Sequence, residues 1–188
     1  MACLEIAVAG PQLSGPIFGG ASMAAVQKFL ETFKREHEKT VKVLRAFPAD
    51  KGDFRPHERS NTVRDLAFTF VMEQSLLSRA LQDQLKVSGP PKGQPPKPSG
   101  DLNATIDQFE RDHQELVRLI ESGGDKQFSG TAEFPTGPGK IGHWEKMDFA
   151  WFMLHDQIHH RGQLTVYLRM LGCKVPAIYG PSSDEPWF

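Results

Sequence analysis

An all-α four-helix bundle, running up-down-down-up, is the fold class this sequence predicts, and three observations predict it. Four long segments carry apolar residues at spacings of three and four, the period of a helix. No segment alternates apolar and polar residues clearly enough to be a strand. A Pro-rich stretch separates the second segment from the third and is long enough to return along a bundle.

Residues 1–21, rich in Gly and Pro, form an irregular lead-in, and residues 22–188 form one domain. Ser22 caps a first helix that reaches about Phe47, with Val26, Leu30, Phe33, His37, Val41 and Leu44 on one stripe. Pro48 stops it. After a connector, Ser60 or Asn61 caps a second helix over about 62–85, with Val63, Leu66, Phe70, Leu77 and Leu81 facing inward.

Helix cannot persist through KVSGPPKGQPPKPSG, residues 86–100, because proline lacks the N–H and clashes with the preceding turn. In extended form this stretch reaches roughly 45 Å. The helix before it measures about 36 Å at 1.5 Å per residue. The crossover therefore allows helices two and three to run parallel. The third helix covers about 101–122, with Leu102, Ile106, Phe109, His113, Leu116 and Ile120 on its stripe, and ends at Gly123-Gly124. Residues 125–142 read as a loop with at most a short extended piece. The fourth helix runs from about His143 to Leu171, and Gly172 closes it. The last residues, VPAIYGPSSDEPWF, lie extended against the bundle.

Composition narrows the function. The chain has 188 residues, 39% hydrophobic and 24% charged, which suits one soluble domain rather than a disordered segment. A net charge of -1 with no Lys/Arg block speaks against nucleic acid as a partner. No apolar run approaches the ~18 residues of a membrane span. The start, MACLEIAVAG, lacks a basic region and does not read as a signal peptide. Cys3 and Cys173 sit in no ligand-like pair, so free thiols in a cytoplasmic protein are expected.

The chemistry concentrates in HDQIHHRGQ, residues 155–163. His155 and His159 are four apart, the spacing at which two imidazoles on one helix face share a metal ion. The stripe Phe152, His155, His159, Gly162, Val166, Met170 is otherwise apolar or small, so both rings are expected to point into the bundle. Burying unpaired imidazoles is costly, and a metal or firm hydrogen bonds would offset that cost. His160, about 100° round the helix, reads as a supporting or surface group. Gly162 fits close approach of a neighbouring helix or ligand, or simple tight packing. Trp144, Trp151 and Phe152 are candidates to line a pocket. His57 and His143 sit near helix ends and read as solvated or capping groups.

HDQIHHRGQLTVYLRMLGCKVPAIYGPSSDE resembles the C-terminal signature of the DinB-like family, and FPADKGDFRPHERSNTVRDLAF resembles that family's first interhelical connector. The resemblance implies an up-down-down-up bundle, often paired as a homodimer. It implies a divalent metal, zinc or nickel, held by one histidine of the second helix and two of the fourth. It also implies that activity, where there is any, is thiol-dependent transfer or isomerisation on a small-molecule substrate. DNA binding is not implied.

On that pattern His155 and His159 take the two fourth-helix places. The second-helix place falls on Thr69, a poor neutral ligand for zinc. Glu73, one turn beyond on the same face, is the first substitute as a ligand. His113 and His37 are further substitutes, and each also reads as a core histidine. Two readings stay open. In one the chain is a metal-dependent enzyme, a transferase, isomerase or hydrolase, with ligands His155, His159 and Glu73 and a pocket of Thr69, Trp151, Phe152 and Gly162. In the other it is a metal-free homodimeric bundle that binds a small molecule or serves a structural role.

Overall fold

A computed structural model describes residues 22–87 and 96–188 of the chain. The expected lead-in at 1–21 and the middle of the Pro-rich crossover lie outside the described residues. Helix α1 spans Met23–Arg45 and starts where Ser22 Oγ accepts the Ala25 N–H at 3.3 Å. Helix α2 spans Val63–Leu81, and its cap is Thr62 rather than Ser60 or Asn61. Thr62 Oγ1 accepts the Asp65 N–H while Asp65 Oδ2 accepts the Thr62 N–H, both at 3.1 Å, so two otherwise orphaned donors are satisfied reciprocally. The helix stops short of Leu85 because Asp83 adopts a φ of 60°, which turns the chain. Helix α3 spans Leu102–Gly123, capped by Asp101, and helix α4 spans Lys146–Met170. Gly172 follows α4 with a φ of 71°, the left-handed geometry expected there.

Two apolar clusters fill the bundle. One joins Phe29 and Phe33 of α1, Leu77 and Leu81 of α2, Leu116 and Ile120 of α3, and Phe149 and Met153 of α4. The other joins Val43 and Leu44 of α1, Leu66 and Phe70 of α2, Ile106 and Phe109 of α3, and Leu164 and Leu168 of α4. The first cluster thus takes the start of α1 and α4 and the end of α2 and α3, and the second takes the opposite ends. Helices α2 and α3 therefore run parallel to each other and antiparallel to α1 and α4.

The all-α expectation is corrected by an antiparallel hairpin. Strand β1, Thr131–Gly137, pairs with β2, Lys140–Glu145, from Thr131 opposite Glu145 to Gly137 opposite Lys140. His143 and Trp144 belong to β2, so α4 starts three residues later than its periodicity suggested. Gly139 closes the turn with a φ of 68°. Ala132 is buried in the first cluster, and the Phe134 ring packs 5.2 Å from that of Phe149. The alternation that marks a strand is faint here because no residue of β2 is buried and only Ala132 of β1 is.

A second correction concerns α4. The stripe expected to face inward faces out: Phe152 is 36% exposed, Val166 and Met170 are each 56% exposed, and His155, His159 and Gly162 are exposed with them. The buried face is Phe149, Ala150, Met153, Leu154, Gln157, Arg161, Leu164, Tyr167 and Leu168. Apolar residues occur on both sides of this helix, so its sequence offers two frames of equal quality. Gly162 is not a point of close approach either, since a Cβ built on it meets nothing within 4 Å.

Candidate functional site

Turning α4 so that Gln157 and Leu164 face the core carries Asp156 and His160 toward α2. These two are four residues apart, the same ladder spacing as His155 and His159 but one residue on. His160 Nε2 lies 3.5 Å from Asp156 Oδ1 and 3.7 Å from Glu73 Oε1 of α2. Donor atoms of Glu73, Asp156 and His160 all lie within 4.8 Å of one another, a possible metal-binding triad. The Phe70 ring meets His160 edge-on at 6.4 Å and limits how that imidazole can turn.

Electrostatically the triad is anchored by Glu73. The residue is 3% exposed, and neither carboxylate oxygen meets a hydrogen-bond donor among the described residues; its polar neighbours are His160 and the Asp156 carboxylate. Burial first, and then the neighbouring Asp156 carboxylate, push its pKa up to about 10. A carboxylate so placed needs a proton or a cation beside it. His160 Nδ1 is also buried without a partner. Asp156 is more open, with its side chain 39% exposed, so the triad has a buried floor and one wetter side. A divalent ion fits this donor set: it would supply the missing countercharge and occupy oxygens that no hydrogen bond from the described residues satisfies.

The residues expected from the sequence are distributed differently. Glu73 is in the triad. His155 and His159 are on the outer face of α4, where His159 Nε2 lies 2.9 Å from Gln163 Nε2 and the His155 ring lies 6.0 Å from Trp151. Thr69 is half-buried and spends its hydroxyl on its own helix, donating to the Asp65 carbonyl at 3.0 Å. Trp151 packs edge-on against Phe29, and Phe152 packs against Trp144 of the hairpin at 5.1 Å. His37 and His113 stack on each other between α1 and α3 and are not members of the triad. Asp156 and His160 were missed as a pair. Their signal was a second apolar frame, Phe149, Met153, Asp156, His160, Leu164, Tyr167, at the same spacings as the frame that was read.

The remaining residues of the C-terminal signature build a strap. Arg161, 2% exposed, donates to Glu36 Oε2 of α1 at 2.8 Å and to the Glu36 carbonyl at 3.1 Å. Tyr179 of the tail donates to the same Glu36 carboxylate at 2.5 Å. Asp184 accepts the Val175 N–H, Glu185 accepts the Ala177 N–H, and Glu185 also pairs with Lys42 of α1 at 2.6 Å. Arg161 thus locks α4 to α1 one residue beyond His160, which sets the rotation of the helix at the triad.

Comparison with known proteins agrees with this architecture. A DinB-like protein of Bacillus cereus has a crystal structure that superimposes with a TM-score of 0.65 at 23% identity, over 81% of this chain and 97% of that one. YjoA, a DinB-like protein of Bacillus subtilis, superimposes with a TM-score of 0.60 at 15% identity, over 80% and 97% of the two chains. At such identities the likeness shows the fold. The uncharacterized protein YrdA of Bacillus subtilis is 53% identical over 34 residues, which are 18% of this chain and 20% of that protein. The chain thus spans about a fifth of the length of that curated relative. The model of the DinB family matches residues 22–187, nearly the whole of the described bundle, and the chain belongs to that family.

Proposed function

We propose that this chain is a divalent-metal protein whose ion is held by Glu73 of α2 and by Asp156 and His160 of α4. The observation that carries the reading is the Glu73 carboxylate, buried in the bundle beside Asp156 and His160 with neither oxygen hydrogen-bonded among the described residues. Two carboxylates and one imidazole make a harder donor set than three histidines, so manganese and ferrous iron join zinc and nickel as candidates. When bound, such an ion supplies Lewis acidity toward a substrate oxygen or lowers the pKa of a bound water or thiol.

The protein's own groups have distinct parts in this reading. With an ion beside it Glu73 would be ionised and provide a buried negative charge, Phe70 and the Arg161 strap orient His160, and the wetter side at Asp156 admits a small molecule. Thiol-dependent transfer or isomerisation, or hydrolysis, is the reaction class we propose. The free thiol of Cys173 fits a cytoplasmic setting.

Metal analysis of untagged protein tests this. About one ion per chain is expected after loading, lost in Glu73→Ala and in His160→Ala but retained in His155→Ala. Less than about a tenth of an equivalent in the wild type, or loss on His155→Ala alone, overturns the assignment.

The outer face of α4 favours a second reading, compatible with the first: a homodimer. Phe152, Val166 and Met170 form an apolar stripe beside Gly162, where the backbone is open to close approach. A second copy bringing the same stripe is the occupant we propose, since a two-fold axis sets one apolar patch against its own copy and buries both. Light scattering should give twice the chain mass for the wild type and the chain mass for Val166→Arg/Met170→Glu. A monomeric wild type sinks the dimer.

A further inference from the structure

The two apolar clusters do not meet uniformly. Between them, at mid-height, each helix contributes polar side chains: Glu36, His37 and Thr40 of α1, Glu73 and Gln74 of α2, His113 of α3, and Gln157, His160 and Arg161 of α4. Glu36, Thr40 and Arg161 satisfy one another. The others do not. Gln74 and Gln157 are 1% and 2% exposed, and His113 is 6% exposed. Both amide atoms of Gln74, Nε2 of Gln157, and Nδ1 of His37 and of His113 are buried without a hydrogen-bond partner among the described residues.

Buried polar atoms in native proteins are nearly always hydrogen-bonded, to protein or to ordered water. Here the described residues supply none. His37 and His113 stack face to face, with centroids 3.6 Å apart and planes 6° from parallel, so their ring nitrogens cannot bond to each other. The rings around them are apolar: Phe33 lies 4.6 Å from His113, and Phe109 lies 4.6 Å from His37. A chain of this length carries on the order of seven buried waters, each with about three polar partners. The orphaned atoms gathered in this layer are where such partners are concentrated.

We infer that Gln74, Gln157, His37 and His113 line a buried water-binding layer across the middle of the bundle, built from other residues than the Glu73–Asp156–His160 triad it adjoins. It does not depend on a metal being bound. Water there accepts from the amide N–H groups and donates to Gln74 Oε1 and to whichever imidazole nitrogens carry no proton. The polar layer is then a hydrated seam between two dry clusters, not a set of tolerated defects.

Two measurements on metal-free protein decide it. A crystal structure at about 1.6 Å or better should show ordered solvent within hydrogen-bond distance of at least two of the four side chains. Gln74→Leu and Gln157→Leu should each lower Tm by about 3 °C or more, because each strips partners from bound water. If the amides are orphaned in fact, the isosteric leucines should raise Tm instead. Absence of solvent density, or a rise in Tm for both variants, overturns the inference. Loss of metal in Glu73→Ala bears only on the triad, so the two readings fail independently.

Discussion

At the scale of single residues, Arg161 shows how one side chain positions another. It is fully buried, and its charge is matched by Glu36, itself 4% exposed. Burial alone would raise the Glu36 pKa, but hydrogen bonds from Tyr179, Lys39 and Arg161 outweigh it and hold the carboxyl down at about 2. Removing one partner of a buried pair leaves a bare charge, which costs about 3–5 kcal/mol. Arg161→Met should therefore lower stability by roughly that amount in urea titration, and adding Glu36→Gln should restore part of the loss. A cost below about 1 kcal/mol would mean the pair is solvated in solution. Glu73 is the opposite case, a buried carboxyl whose described neighbours are the His160 imidazole at 3.7 Å and the Asp156 carboxylate rather than an Arg or Lys, and that contrast supports the proposed ligand role.

At the scale of elements, α4 decides the site. Its stripe through Phe152, His155, His159, Gly162, Val166 and Met170 and its stripe through Phe149, Met153, Asp156, His160, Leu164 and Tyr167 have the same helical spacing. Periodicity cannot choose between them. Buried Gln157 and Arg161 even lend the true inner face a polar look. Helices α1, α2 and α3 offered no such ambiguity, and their apolar residues at three-and-four spacing are buried, with His37 and Val41 alone half-buried. Gly162 provides a check on α4. A glycine in an exposed helix costs about 1 kcal/mol relative to alanine, so Gly162→Ala should raise Tm by about 2–4 °C. A fall in Tm would place the position in a tight contact between copies. The hairpin was less legible because its strands are scarcely buried and its turn is rich in Gly and Pro, which also marks plain loops.

At the scale of the whole molecule, the polar layer ties stability to pH. Burial pushes the His37 pKa down to about 4. Burial, then His37, then the charge of Lys34 push His113 down to about 3. The groups facing the pair are Phe33, Phe109, Lys34 and the two rings themselves. Unfolded, both imidazoles titrate near their ordinary 6.5. Between these values the unfolded chain binds more protons, so the stability they contribute is whole above 6.5 and falls as pH drops toward 4 and 3. Each can contribute a slope of up to about 1.4 kcal/mol per pH unit. Glu36 adds a separate loss as pH falls from 4.5 toward 2, while Glu73, without a cation, contributes with the opposite sign between 4.5 and 10. The clean measurement is the difference between wild type and His37→Phe/His113→Phe across pH 6.5 to 4: the variant should lose less stability. Equal loss in both would show that the pair does not titrate with folding.

The amino-acid sequence alone determined the four helices and their near-correct ends and allowed the parallel course of the second and third, and the family resemblance brought Glu73 forward as a candidate ligand. The helices and their ends follow from local rules: spacing of apolar residues, side-chain caps, and the refusal of proline to continue a helix. Only tertiary structure decided which way α4 is turned, and with it whether His155 and His159 or Asp156 and His160 look toward α2. A rotation of about 100° about a helix axis leaves every local interaction of that helix intact. The contacts that select it, Arg161 with Glu36 and Leu164 with the second apolar cluster, come from residues far away in the chain.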